Sequence, residues 1–297
     1  MTMRIALVTA PAARGLDEDM GPLTAALAAV GARAEITDWD DRAIDWARFD
    51  AVVLRSAWDY HARLPQFLAW LERVAAATTL FNPLEVVRWS LDKHYLGELA
   101  RAGAPVVPTR YLEPGADAAA GLDALLAQDP CREIVVKPAI GAGSRDARRH
   151  ARADRGEILD HIDPLLAARR SVMLQPYLER VDRDGETALM YIDGRYSHAI
   201  RKGALLPSGA PSTAALFATE TIESRSPGAD ELEAAERILA AVPFEKLLYA
   251  RVDLLRDRDG APRLLELELA EPSFFFSWAA GSAERFTAAL LERLQAT

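Results

Sequence analysis

Near the end of the 297-residue chain, acidic residues and an arginine are spaced so that a single reverse turn would gather them. Asp259-Gly260 is a favoured pair for a two-residue hairpin turn. With that turn, Asp253 lies opposite Glu266 and Arg251 opposite Glu268. Side chains two apart along a strand share a face, so all four meet on one patch. Like charges set opposite one another destabilise a sheet, and crowding carboxylates raises their pKa. A divalent cation held by oxygen ligands removes the conflict, and Mg²⁺ favours one or two carboxylates combined with substrate phosphates. Asp253, Glu266 and Glu268 are therefore candidate metal ligands. The alternative is an exposed strand balanced by Arg251, Arg256, Arg258 and Arg263. Leu264, Leu265, Leu267 and Leu269 interleave with the acids and argue instead for burial.

A second set of residues has the chemistry to meet phosphate. Lys137 ends an apolar strand pattern and runs into Pro138-Ala139-Ile140-Gly141-Ala142-Gly143-Ser144-Arg145. A lysine beside a small-residue loop can pair with a phosphate while the loop amides approach it. The segment is not a Walker loop, because no Gly-Lys-Ser/Thr follows. Lys93 falls in the first turns of a helix that Ser90 would cap. Gln175-Pro176-Tyr177-Leu178 follows a strand pattern, where an adenine ring could hydrogen-bond the backbone; a plain connector is the other reading. An earlier hairpin turning at Asp193-Gly194 sets Glu186 opposite Arg201 and points Lys202 to the other face. Arg201 is there either a cross-strand ion-pair partner or a phosphate contact. His61, His94, His150, His161 and His198 have no metal-ligand spacing. Cys131 is the only cysteine, which forbids an internal disulfide, and it reads as structural.

These residues require a framework. Alternating strand and helix patterns at 4–9, 23–30, 34–37, 51–54, 64–74 and 78–81 predict a small parallel sheet covered on both faces. It is Rossmann-like but lacks Gly-x-Gly-x-x-Gly after its first strand, so dinucleotide binding is unsupported. Arg55-Ser56-Ala57-Trp58-Asp59-Tyr60 follows the third strand, where ligands of open α/β sheets bind, and could contact a small zwitterion; a packed loop is the alternative. After Asn82-Pro83 come a helix at 90–103, a strand at 106–112, a helix at 122–127, a strand at 134–137, a helix from 154 to 168 and a strand at 172–175. The two hairpins follow, separated by the Gly/Pro/Ser-rich stretch 203–212 and a helix at 230–241, and an amphipathic helix at 283–294 closes the chain. The expected division is an N-terminal domain at 1–85, a central part at 86–175 and a C-terminal part at 176–297 carrying the metal site.

Composition narrows the function classes. Lys plus Arg number 35 and Asp plus Glu 44, a formal charge of −9, which argues against nucleic-acid and anionic-membrane partners. Half the residues are apolar, enough for a full core, and no run reaches the roughly 18 residues of a membrane span. Met1-Thr2-Met3-Arg4 leads directly into an apolar strand, too short for a signal peptide, so a cytoplasmic protein is expected.

As an ordered set, Lys93, Lys137 with its small-residue loop, Gln175-x-Tyr177-Leu178, Gly185-Glu186, Arg201-Lys202, Asp253 and Glu266-x-Glu268 resemble the ATP-grasp superfamily, near glutathione synthetase and the RimK-type ligases. The resemblance implies an ATP-grasp α/β fold with a Rossmann-like pre-ATP-grasp domain and a mixed or antiparallel C-terminal sheet. Arg55-Ser56-Ala57-Trp58-Asp59-Tyr60, Asn82-Pro83, Arg88-Trp89-Ser90-Leu91-Asp92-Lys93, Ser197-His198-Ala199-Ile200-Arg201-Lys202 and the segment from Leu265 to Ser273 are similar to the cycloserine synthetase group. Glu268 departs from the usual Glu-x-Asn ending and adds a negative charge.

The resemblance implies that Lys93, Lys137, Gly141, Gly143 and Ser144 meet the nucleotide phosphates. It places Gln175, Tyr177 and Leu178 at the adenine and Glu179 or Asp182 at the ribose. Asp253, Glu266 and Glu268 would hold two Mg²⁺ ions, and Arg201, Lys202 and Arg251 would serve the transferring phosphoryl group. The implied chemistry converts a small amino acid's carboxylate to an acylphosphate with ATP, and an amine of the same molecule then closes a ring, as in O-ureido-D-serine to D-cycloserine. No protein nucleophile is needed, and no Ser/His/Asp or Cys/His arrangement stands out. The rival readings are an intermolecular carboxylate–amine ligase and a nucleotide-binding protein without turnover. A homodimer is a family-level expectation.

Overall fold

The short apolar runs at the start of the chain form β1 (Arg4–Thr9), β2 (Arg33–Asp38), β3 (Ala51–Ser56) and β4 (Thr79–Phe81) in a computed structural model describing residues 2–206, 216 and 221–296. They make a parallel sheet in the order β2-β1-β3-β4. Alternate side chains of β1 go to opposite faces, as the strand period requires. Ile5 and Leu7 pack toward α1 (Met20–Ala29), whereas Ala6 and Val8 pack toward Trp39, Trp46, Phe67 and Trp70, the last two on α2 (Leu64–Ala77).

The single helix expected at 90–103 is two: α3 (Leu84–Leu91) and α4 (Tyr95–Arg101). Asp92 breaks them apart, because its side chain accepts from the His94 N–H at 3.1 Å and offers the backbone a turn in place of helix. Lys93 is left at the junction. The strand expected at 106–112 survives only as β5 (Arg110–Leu112), since Pro108 has no N–H to donate. Helices α5 (Ala118–Gln128) and α6 (Arg155–Ala167) cover one face of an antiparallel sheet in the order β5-β8-β6-β7, with β6 (Glu133–Pro138), β7 (Arg148–Ala151) and β8 (Val172–Pro176). The other face carries Val135, Lys137 and Gln175 toward a cavity. Cys131 is buried in the helix-covered core.

A single short turn of helix, α7 (Val181–Asp184), leads into the third sheet. Its strands are β9 (Glu186–Ile192), β10 (Arg195–Lys202), β11 (Ile222–Arg225), β12 (Tyr249–Arg256) and β13 (Pro262–Glu268), in the antiparallel order β11-β10-β9-β12-β13. One face packs on α4 and α8 (Ala229–Ala240). The other starts in the core shared with β1, β3 and α9 (Ser282–Gln295) and ends in the cavity. The sequence pattern misses β7 and β11, both edge strands rich in charge, as edges commonly are. Of the Gly/Pro/Ser-rich stretch, positions 207–212 lie outside the described residues. Among the described residues no helix is long and apolar enough to cross a membrane.

Both hairpins depart from simple two-residue registers. Asp193-Gly194 does make the tight turn, with Ile192 paired to Arg195, but a bulge at Ser197 shifts the register beyond it. Lys202, not Arg201, therefore stands opposite Glu186. The later turn is one residue longer than expected: Asp257 and Ala261 close it at 2.9 Å, and Gly260 takes the left-handed conformation at φ +86°. A bulge at Leu265 then compensates, so Asp253 does face Glu266 and Arg251 does face Glu268.

Candidate active site

The second and third sheets face one another across a cavity of about 490 Å³. Its charged end is built by strand alternation. On β12, Val252 and Leu254 point into the core while Arg251 and Asp253 point the other way. The Leu265 bulge resets β13 so that Glu266 and Glu268 join them. Gly185 lets the chain turn into β9 beside β10; a Cβ there would meet the Lys202 carbonyl at 2.6 Å, and its φ is +73°.

Each of these carboxylates rests on a cation. Lys202 Nζ lies 2.7 Å from Glu186 and 3.0 Å from Asp253, with Lys202 and Asp253 both buried. Arg251 Nε donates to Asp253 at 2.8 Å, and Arg251 also pairs with Glu268. Lys93 Nζ meets Glu266 at 3.0 Å and donates to the Gly141 carbonyl at 2.7 Å. Burial disfavours the ionised Asp253, but Arg251 and Lys202 outweigh it and hold the carboxyl well below its usual range. Glu266 is likewise held down, against burial, by Lys93 and Lys137. Glu268 goes the other way, pushed up to about 7 because burial and its acidic neighbours exceed the help from Arg251. Glu271, just past β13, is raised to about 8 by burial and by Glu268. Burial brings Lys137 down to about 8, with Glu266 opposing and Lys93 reinforcing the shift.

The structure separates the sequence candidates. Lys93, Lys137, Gly141, Gly143, Ser144, Gln175, Tyr177, Leu178, Lys202, Arg251, Asp253, Glu266 and Glu268 all line the cavity, as do Trp58 and Tyr60. Arg201 does not: it turns away, donating to the Asp184 carbonyl at 2.8 Å and pairing with Glu223 at 3.2 Å. Glu179 and Asp182 are exposed and outside the lining, and Asp182 is held by Arg149 at 3.1 Å. Arg55 is fully buried beneath the cavity wall, where Nη2 meets Asp19 at 2.9 Å. Asp19 in turn accepts from the Phe274, Phe275 and Phe276 amides. Ser56 donates to Thr9 Oγ1 at 2.8 Å, and Asp59 accepts from Trp39 and Arg63, so neither reaches the cavity. Arg55, Ser56 and Asp59 seat the N-terminal loop and do not line the cavity.

Sequence reasoning missed Asp19, which reads as one acid of a solvated turn. It also missed Glu271, which lies out of phase with the strand period that marks Glu266 and Glu268. Among the described residues no group of three or more His, Cys, Asp or Glu side chains is arranged to hold a metal ion. The donor chemistry nevertheless suits Mg²⁺: Asp253, Glu266 and Glu268 offer hard oxygens only, and burial with acidic neighbours holds Glu268 up despite Arg251.

A family profile described as D-cycloserine synthetase DcsG, N-terminal domain, matches residues 5–82. The cycloserine biosynthesis protein DcsG of Streptomyces lavendulae is 44% identical over 298 residues, covering 98% of this chain and 99% of that one. The crystal structure of D-cycloserine synthetase DcsG superposes with a TM-score of 0.91 at 44% identity, again over 98% and 99% of the two chains. The ATP-grasp ligase PsnB, complexed with a phosphomimetic variant of its minimal precursor, Mg and ADP, shares the fold at 20% identity and a TM-score of 0.66, with 98% of each chain covered. The three-sheet architecture is thus the ATP-grasp fold, and at this identity and coverage the chain belongs to the D-cycloserine synthetase family.

Proposed function

We propose that this protein is an ADP-forming ATP-grasp ligase that closes O-ureido-D-serine to D-cycloserine. The single observation that carries the reading is the near-full-length identity of 44% to a D-cycloserine synthetase, with the cavity charges in the matching fold. A carboxylate is a poor electrophile; phosphorylation gives it a leaving group, after which the oxygen-bound N–H of the ureido group displaces phosphate and closes the ring, and hydrolysis of the carbamoyl group by one water releases CO2 and ammonia. The chain's part is positioning and electrostatics. Lys93 and Lys137, with the loop through Gly141, Gly143 and Ser144, receive the nucleotide phosphates. Gln175, Tyr177 and Leu178 wall the purine. Lys202 and Arg251, already buried beside Asp253, stabilise charge on the transferring phosphoryl group. Asp253, Glu266 and Glu268 would hold Mg²⁺, two ions on this reading. Bound magnesium supplies neutralisation of phosphate charge. The carboxylates need not stand clear as a preformed trio, since nucleotide phosphates would complete such a site and would compete for Lys93 and Arg251.

The decisive experiment incubates purified protein with ATP, Mg²⁺ and O-ureido-D-serine as the sole amino acid. ADP and D-cycloserine should form together with no second amine present. ADP release that depends on adding a separate amine would instead establish an intermolecular ligase.

A further inference from the structure

Glu186, Asp253, Glu266 and Glu268 each rest on a lysine or arginine, but Glu271 does not. Among the described residues its carboxylate makes no hydrogen bond or ion pair, although it lines the cavity. Its backbone is fixed, because Trp58 Nε1 donates to the Glu271 carbonyl at 3.3 Å. The charged groups that face it are Glu266 and Glu268 from β13, Lys93 from the junction of α3 and α4, and Arg251 from β12, with the Tyr60 hydroxyl beside them. Lys93 and Arg251 are already engaged by Glu266 and by Asp253 and Glu268. Half-buried and without a partner, the group holds its proton more readily than a free carboxyl, and a cation arriving beside it favours the ionised form.

The substrate brings one. On the cyclo-ligase reading above, on which this inference rests, an α-amino acid enters with its carboxylate toward Lys137, Lys202 and Arg251. Its ammonium is attached one carbon away and must also leave water. We propose that Glu271 receives the α-ammonium group of the substrate and sets the enzyme's requirement for an amino acid over a plain carboxylic acid. Trp58 then fixes the height of the loop that carries it, and Trp58 and Tyr60 supply apolar wall. The site is built so that the ammonium is held by a residue that takes no part in holding nucleotide.

The test compares O-ureido-D-serine with 3-(ureidooxy)propanoate, the same molecule without its amine, in the wild type and in Glu271→Gln. A charge-assisted contact of this kind supports a rise of about 10- to 100-fold in KM for the amino substrate. ATP affinity and the rate on the des-amino analogue should stay at wild-type values, so discrimination between the two acids collapses. Glu271→Asp, which keeps the charge, should retain most of the discrimination. Equal losses on both acids, or an unchanged KM with a lower kcat, would overturn the assignment. If Glu271→Gln fails to fold, unaltered discrimination in Glu271→Ala with normal thermal stability would do the same. A wild type that consumes neither acid overturns the cyclo-ligase reading itself, which is a separate outcome.

Discussion

Lys137 sits where desolvation and function pull in opposite directions. Burial lowers its pKa from the ordinary 10.5 to about 8, so without nucleotide a large share of it is neutral in mild alkali. A phosphate beside it favours the ammonium, and binding must therefore take up a proton once the pH exceeds about 8. Affinity for ATP with Mg²⁺ should fall by up to about tenfold per unit above that pH. Titration calorimetry at pH 7 and 9.5 checks this, and Lys137→Arg should abolish the high-pH loss because guanidinium stays charged. Lys137→Ala should abolish ADP formation; near-normal turnover would remove the residue from the site. The effect on the fold has the other sign. Between about pH 8 and 10.5 the unfolded chain binds more protons at this lysine, so its unfavourable contribution to stability is relieved as pH rises through that window.

At the scale of elements, Asn82 fastens the first sheet to the strands that carry the acids. It is fully buried, donates from Nδ2 to the Tyr249 and Leu269 carbonyls at 2.9 Å each, and accepts from the Leu248 amide at 2.8 Å. Asn82→Ala leaves all three backbone groups buried without a partner, and denaturant unfolding should show a loss of roughly 2–5 kcal/mol. Activity should fall with it, because those strands carry Arg251, Asp253, Glu266 and Glu268. The tie itself was not visible in the sequence, where Asn82-Pro83 reads as a break and as one of the phrases shared with the cycloserine synthetase group. The hairpins explain why legibility was uneven. Alternation and turn chemistry placed Asp253 opposite Glu266, but the agreement depends on a three-residue turn and a bulge at Leu265 that cancel each other. In the other hairpin the Ser197 bulge has nothing to cancel it, so Arg201 and Lys202 exchange roles. A bulge depends on how a strand must twist against its neighbours, and no local residue pattern announces it. Apolar periodicity, by contrast, located the strands of the first sheet and the four long helices at 64–77, 155–167, 229–240 and 282–295, because burial on a regular surface is itself periodic.

Across the whole molecule, the N-terminal sheet owns the core on only one of its two faces. Ile5, Leu7, Ala51 and Val53 share a single cluster with Met190, Ile200 and Tyr249 of the third sheet and with Phe286 and Leu290 of the last helix. Arg55, Asp19 and the Phe274–Phe276 amides add a fully buried polar tie between the same parts. Removing residues 86–297 would expose the α1-side face of β1 and β3 and leave the Arg55–Asp19 pair without the backbone groups that satisfy it. The segment 1–85 should therefore fail to fold alone. In the intact protein it should unfold together with the rest, despite its separate sheet. Tryptophan fluorescence is weighted toward this unit, because four of the six tryptophans lie in it, with Trp39, Trp46 and Trp70 buried, and only Trp89 and Trp278 lie beyond it. Its denaturation curve should coincide with far-UV circular dichroism, which reports every helix and strand, and both should shift together when ATP and Mg²⁺ are added. An early fluorescence transition, with the circular dichroism signal largely retained, would show instead that the N-terminal sheet is an autonomous unit.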